Sequence, residues 1–201
     1  VNQGGYASHT LTQRQDGQQD IDVALVFRWD SIPDGPQRAR QLVHDAVVAG
    51  APATFRNPQA RRTNAVTVWY SEGLHVDFAV YRERGATLEH AGARWTRADP
   101  GAVKAWFTNE VRRRSPRWSP HAAVADSQLR RIVRILKYLR QPNASSLPGG
   151  YLITALTCQA YVPSPRGDDI ALLRTLQALD RRLSASSAVP SPLVGAPPLT
   201  A

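Results

Sequence analysis

The chain predicts an α+β fold, with a mixed sheet over residues 1–90 and a helical part over residues 91–183. Two observations predict the sheet. Asp20-Ile21-Asp22-Val23-Ala24-Leu25-Val26-Phe27 reads as a strand, and Ala65–Tyr70 and Leu74–Tyr81 read as a hairpin turned by Ser71-Glu72-Gly73. One observation predicts the helices: beyond Asp99 the apolar residues recur at i, i+3, i+4 and i+7 rather than in alternation. Residues 184–201, rich in Ser, Pro and Ala, read as an extended strap or tail.

Each element has its own signal. Gln3-Gly4-Gly5-Tyr6 is a Gly-rich turn, and Leu11–Gln19 is a polar loop into the first strand. Asp30–Pro36 is a turn cluster. Gln37–Val48 then places Ala39, Leu42, Val43, Ala46 and Val47 at helical spacing against the sheet, and Gly50-Ala51-Pro52 ends that helix. Arg56–Arg62 reads as a basic connection, whose Arg61 and Arg62 either face phosphates or stand solvated. Arg82–Arg97 reads as a short hairpin or an irregular segment.

The helical part opens at Asp99-Pro100, an N-cap followed by Pro at the first helical position. Val103, Trp106, Phe107 and Val111 form its packing stripe, and Arg112–Arg117 is a basic helix end. From Asp126 to Arg140 the faces divide: Leu129, Ile132, Val133, Leu136 and Leu139 inward, Arg130, Arg134 and Lys137 on another stripe. Like charges at that spacing cost a few tenths of a kcal/mol per pair, roughly, so an anionic neighbour would relieve them. Gln141–Ser146 is a linker. Pro148-Gly149-Gly150 opens the apolar helix Tyr151–Val162. After the break at Pro163–Gly167, Asp168 or Asp169 caps a helix with Ile170, Leu173, Leu176 and Leu179 inward.

Composition narrows the class. The 25 Lys plus Arg exceed the 16 Asp plus Glu, a formal net charge of +9, which favours polyanions such as nucleoside triphosphates. Nucleic acid is admitted without being required, and the alternative reading of the excess is solubility or arginine-rich codon usage. The single cysteine, Cys158, allows no internal disulfide and suits a reducing cytoplasm. No apolar run reaches membrane-spanning length, so no membrane partner is expected.

The chemistry concentrates on carboxylates. Asp20 and Asp22 lie two residues apart and so share one face of their strand, while Asp77 stands on the face of Leu74–Tyr81 opposite Val76, Phe78 and Val80. Close carboxylates repel and resist desolvation, a difficulty that a divalent cation removes. If the hairpin lies beside the first strand, Asp20, Asp22 and Asp77 converge and can hold two ions about 3.5–4 Å apart, the arrangement of in-line phosphoryl transfer. The alternative is that Asp20 and Asp22 are solvated strand-edge residues.

Gln3–Thr10, Asp20-Ile21-Asp22 and Val76-Asp77-Phe78, taken in that order, resemble the signature of the polymerase-beta-like nucleotidyltransferases. Within that superfamily they resemble the bacterial cGAS/DncV-like members, the CD-NTases, which make cyclic oligonucleotide signals in anti-phage defence. Arg94–Pro100, Ala105-Trp106-Phe107, Gln128–Leu139 and Leu147–Thr154 continue the likeness, which covers most of residues 3–162. The resemblance implies a polymerase-beta-like sheet with a helical second lobe closing a nucleotide cleft. It implies two Mg²⁺ or Mn²⁺ ions on Asp20, Asp22 and Asp77, and ATP- or GTP-type substrates held by Gln3, Gly4, Gly5, Tyr6, Arg134, Lys137 and Gly149. A cyclic di- or trinucleotide product and regulatory partners from a defence operon follow from it too.

Two departures stand out. Gly5 and Gly149 occupy positions where the family carries serines, so two hydroxyls expected at the triphosphate are replaced by backbone N–H groups. The resemblance also implies a helical segment before Val1. A nucleotidyltransferase acting on a tRNA end or a small-molecule hydroxyl, a non-catalytic nucleotide- or RNA-binding relative, and an inactive remnant stay open beside the synthase.

Overall fold

The computed structural model describes residues 1–12, 19–50, 55–70, 73–116, 127–140 and 147–200. The expected turn residues Ser71 and Glu72, the helix end at Ala51-Pro52, Arg117, Asp126 and the linker Gln141–Ser146 lie outside the described residues. Most of the Leu11–Gln19 loop does too. The chain forms two compact units, one of Val1–Ala7 with Gln13–Gly101, the other of Ser8–Thr12 with Ala102–Ala201.

The first unit is built on a mixed sheet. Its elements are β1 (Asn2–Gln3), α1 (Gly4–Ala7), β2 (Gln19–Arg28), α2 (Pro36–Gly50), β3 (Phe55–Arg61), β4 (Val66–Tyr70), β5 (Leu74–Arg84), β6 (Thr87–Ala91) and β7 (Trp95–Arg97). The order is β1-β2-β5-β4-β3, with β6 on β5 and β7 on β6. β5 is the longest described strand and organises the rest. Along one edge it runs parallel to β2; along the other it pairs first with β4, then with β6.

Register partners share a face, so β2 and β5 sort their residues together. Val23 with Phe78 and Leu25 with Val80 face α2, where Ile32, Ala39, Val43, Val66, Val80 and Ala91 form the core. Each fully buried Val there contributes about 1.5–3 kcal/mol. Asp20 with His75, Asp22 with Asp77 and Ala24 with Ala79 occupy the other face.

Three features of this unit differ from the sequence reading. Residues 55–61 are strand β3 rather than a simple connection; Pro58 sits where the register shifts on this outer strand, the kind of position that tolerates a missing N–H. Arg62 lies over the Trp69 ring, 5.9 Å from its centroid. Leu42 and Ala46 are exposed, because Arg40 takes part of the buried face of α2. Its Nη1 donates to the carbonyls of Ala91 and Gly92, both at 2.5 Å, tying α2 to the β6 end.

The second unit contains α3 (Pro100–Arg114, reaching back to the unit boundary), α4 (Gln128–Arg140), α5 (Gly150–Ala160) and α6 (Asp168–Ala185). Phe107, Val111, Leu129, Ile132, Val133, Cys158, Tyr161 and Ala171 form its core. Burial pushes the Cys158 thiol up to about 12, so it stays protonated and inert. Leu139 is 54% exposed, against expectation, since the buried stripe of α4 ends a turn earlier. Leu173 and Leu176 are also exposed; small Ala171 and Thr175 form the buried face of α6 instead. Asp168 is not a cap. It is the first helical residue, and Arg131 holds its carboxyl below the usual carboxylate range through hydrogen bonds of 2.5 and 2.9 Å. Past α6 the chain returns: Val189 is buried on Ala155 and Leu156, and Leu199 N–H donates to its carbonyl at 2.8 Å. Among the described residues no helix is long and apolar enough to cross a membrane.

Candidate active site

The site follows from one ladder. β2 and β5 pair without a break from Gln19–Leu74 to Arg28–Glu83, which sets Asp22 directly beside Asp77 and Asp20 beside His75. All four side chains start from the same face, the one opposite α2. Thr67, the β4 partner of Asp77, donates its hydroxyl to Asp77 Oδ1. Asp20, His75 and Asp77 each present one donor atom, and the three atoms lie within 4.8 Å of one another.

His75 was missed in the sequence. Its signal was available: it precedes Asp77 by two residues and therefore shares its face. The imidazole is buried, its Nε2 touches Asp20 Oδ1, and Trp69 packs on the ring with centroids 4.4 Å apart.

Asp22 is framed from the N-terminal side. Gln3 is its partner in the antiparallel β1–β2 pair, and Gly4 follows with φ +62°. A β-carbon at Gly4 would land on the Asp22 carboxylate, so only glycine brings the turn this close. Gln3, Asp22, Asn64, Asp77, Tyr81 and His90 line a cavity of about 390 Å³. The Tyr81 hydroxyl donates to Gln3 Oε1 at 3.1 Å; burial, helped by the Asp22 charge, pushes the phenol up to about 12. His90 is bonded to the Asn64 carbonyl at 2.8 Å, and burial holds its pKa below the ordinary histidine value. Tyr6 is 48% exposed.

Arg134, Lys137 and Gly149 belong to the second unit. Lys137 Nζ donates to Thr10 Oγ1 at 2.8 Å, and a β-carbon on Gly150 would stand 3.8 Å from that ammonium. Lys137 thus lies at the N-terminus of α5, where Gly149 is the N-cap and bears no capping side chain. Arg130, read as part of the same charged stripe, is instead 2% exposed; its Nε donates to the Ser8 carbonyl at 3.0 Å and its guanidinium lies over Phe107. Arg130 is a packing residue.

Carboxylate oxygens arranged this way fit a hard divalent cation, which would offset their mutual repulsion. A family model for the nucleotidyltransferase domain of cyclic GMP-AMP synthase DncV-like proteins matches residues 1–81, the span that carries all three aspartates. Residues 1–81 are thus similar to a DncV-like nucleotidyltransferase domain. A cyclic GMP-AMP synthase of Escherichia albertii is 26% identical over 141 residues; that match covers 67% of this chain but 30% of the relative's length.

Solved structures agree on the fold. The CD-NTase CdnG of Bradyrhizobium diazoefficiens, solved with GTP, superposes with TM-score 0.74 at 18% identity, covering 100% of this chain and 69% of that one. DncV of Vibrio cholerae, a cyclic AMP-GMP synthase solved with the linear intermediate pppA(3′,5′)pG, gives 0.73 at 18% identity, covering 98% and 56%. The chain therefore has the polymerase-beta-like α+β fold of these structures.

Proposed function

We propose that the chain is a metal-dependent nucleotidyltransferase that converts nucleoside triphosphates into a cyclic di- or trinucleotide. The pairing of Asp22 with Asp77 on one sheet face, with Asp20 beside them, carries the reading. Asp20, Asp22 and Asp77 would hold two Mg²⁺ or Mn²⁺ ions, which supply charge neutralisation at the triphosphate and at the attacking hydroxyl. The ribose hydroxyl oxygen bonds to the α-phosphorus, the bond to the bridging oxygen breaks, and pyrophosphate leaves. Thr67 occupies Asp77 Oδ1, leaving Oδ2 to take the hydroxyl proton. Lys137 and the N–H groups at the start of α5 are assigned to the triphosphate. A second such step on the linear intermediate closes the ring. We place this activity in the cytoplasm, as a second-messenger synthase of anti-phage defence under regulatory partner proteins.

The test is incubation with all four NTPs and Mg²⁺ or Mn²⁺, read by mass spectrometry. Cyclic product from wild type and none from Asp77→Asn is expected; equal product from both would refute the reading. The bare N-cap at Gly149 favours one rival, a non-catalytic nucleotide-binding relative. Tight NTP binding without pyrophosphate release would select it.

A further inference from the structure

We propose that His75 is a metal ligand, and that its Nε2 makes the site prefer a first-row transition-metal dication over Mg²⁺. This rests on the metal-site reading above and goes beyond its carboxylates. The donor set that converges within 4.8 Å is Asp20, His75 and Asp77, two oxygens and a nitrogen. Mg²⁺ takes oxygen almost exclusively, whereas imidazole nitrogen suits Fe²⁺, Ni²⁺, Cu²⁺ and Zn²⁺, with Mn²⁺ the weakest-binding member of the same row.

The backbone determines where the ring sits. His75 pairs with Asp20 on one side and with Trp69 on the other, so the imidazole is pressed between an indole and a carboxylate. Its side chain is 5% exposed, with Nε2 against Asp20 Oδ1. Nδ1 is buried with no hydrogen-bond partner among the described residues. A histidine serving only as packing would leave that desolvation uncompensated, where an apolar side chain would incur none. A dication seated between Nε2 and Asp20 Oδ1 would give the buried ring a charged partner on its carboxylate-facing edge and leave the ring proton on Nδ1.

The experiment adds Mn²⁺ alone to the full chain and records electron spin-echo modulation. Nitrogen-14 coupling of a directly bound imidazole is expected in wild type. In His75→Gln the coupling disappears and Mn²⁺ affinity falls by at least about tenfold, while Mg²⁺ affinity is retained. His90→Gln, at the histidine that lines the cavity beside Asp77, keeps the coupling, which decides the matter should His75→Gln not fold. Bound Mn²⁺ that is lost in Asp20→Asn but shows no nitrogen coupling in wild type overturns the role of His75 and spares the nucleotidyltransferase reading. No Mn²⁺ binding at all overturns both.

Discussion

Asp22 and Asp77 are direct partners in an unbroken parallel ladder, so two carboxylates face the same side of the sheet from adjacent strands. Neighbouring strands lie about 4.8 Å apart, and like charges directly opposite are destabilising. Asp22→Asn should therefore raise stability in EDTA by about 0.2–1 kcal/mol while abolishing pyrophosphate release. Urea unfolding beside a phosphate-release assay checks both halves. A variant both weaker and active would contradict the arrangement.

Gly4 tests the approach of the N-terminal turn to Asp22. Gly4→Ala meets a left-handed φ, at a cost of about 1–2 kcal/mol, and drives a methyl into the carboxylate. Reduced thermal stability and lost product are expected. Gly149→Ala, at a position with open space around it, should fold like wild type. Melting curves of the two variants make the comparison.

Restoring a hydroxyl at Gly149 is a gain-of-function test. A β-carbon at Gly149 meets nothing within 4 Å, so Gly149→Ser fits without rearrangement and caps α5. Stability should rise by about 0.3 kcal/mol, since glycine is only slightly inferior to serine as a cap. Triphosphate affinity, read by calorimetry, should rise with it.

Arg114 holds three partners: its guanidinium donates to the carbonyls of Cys158 and Tyr161, the latter at 2.9 Å, and pairs with Glu110. Arg114→Ala should cost about 2 kcal/mol, because charged donors to buried carbonyls are worth more than neutral ones. Arg114→Lys, able to reach one carbonyl at a time, should recover part of the loss in denaturant titrations.

Alkaline pH reports on the buried phenols. Tyr81 and Tyr161 are each raised from 10.0 to about 12, mainly by burial. Below pH 10 both folded and unfolded chains keep these protons and the contribution is complete. From pH 10 to 12 the unfolded chain releases them first, so stability falls with rising pH. Tyr81→Phe should flatten that decline, measured as unfolding free energy against pH.

The strands and most helices were legible because alternation and 3.6-residue spacing write burial directly into the sequence. Asp20, Asp22 and Asp77 could be picked out as anomalies on apolar strands, but their pairing could not: register between parallel strands depends on the crossover, not on local pattern. Arg130 was misread, and Arg40 passed over, for the opposite reason. A long arginine is polar in any periodic count, yet its stem packs like an apolar chain when carbonyls satisfy its head. His75 carried a positional signal that was overlooked, and β3 was hidden because its sequence, with Pro58, lacks the usual strand composition.

The β2–β5 ladder also sets a timetable. Its two strands are separated in the chain by α2, β3 and β4, so their pairing is a non-local step of the kind that slows folding. A chain emerging from the ribosome carries Asp20 and Asp22 long before Asp77 arrives. The electrostatic conflict that a cation resolves is thus born only as the sheet closes, and metal present at that moment can assist assembly as well as chemistry.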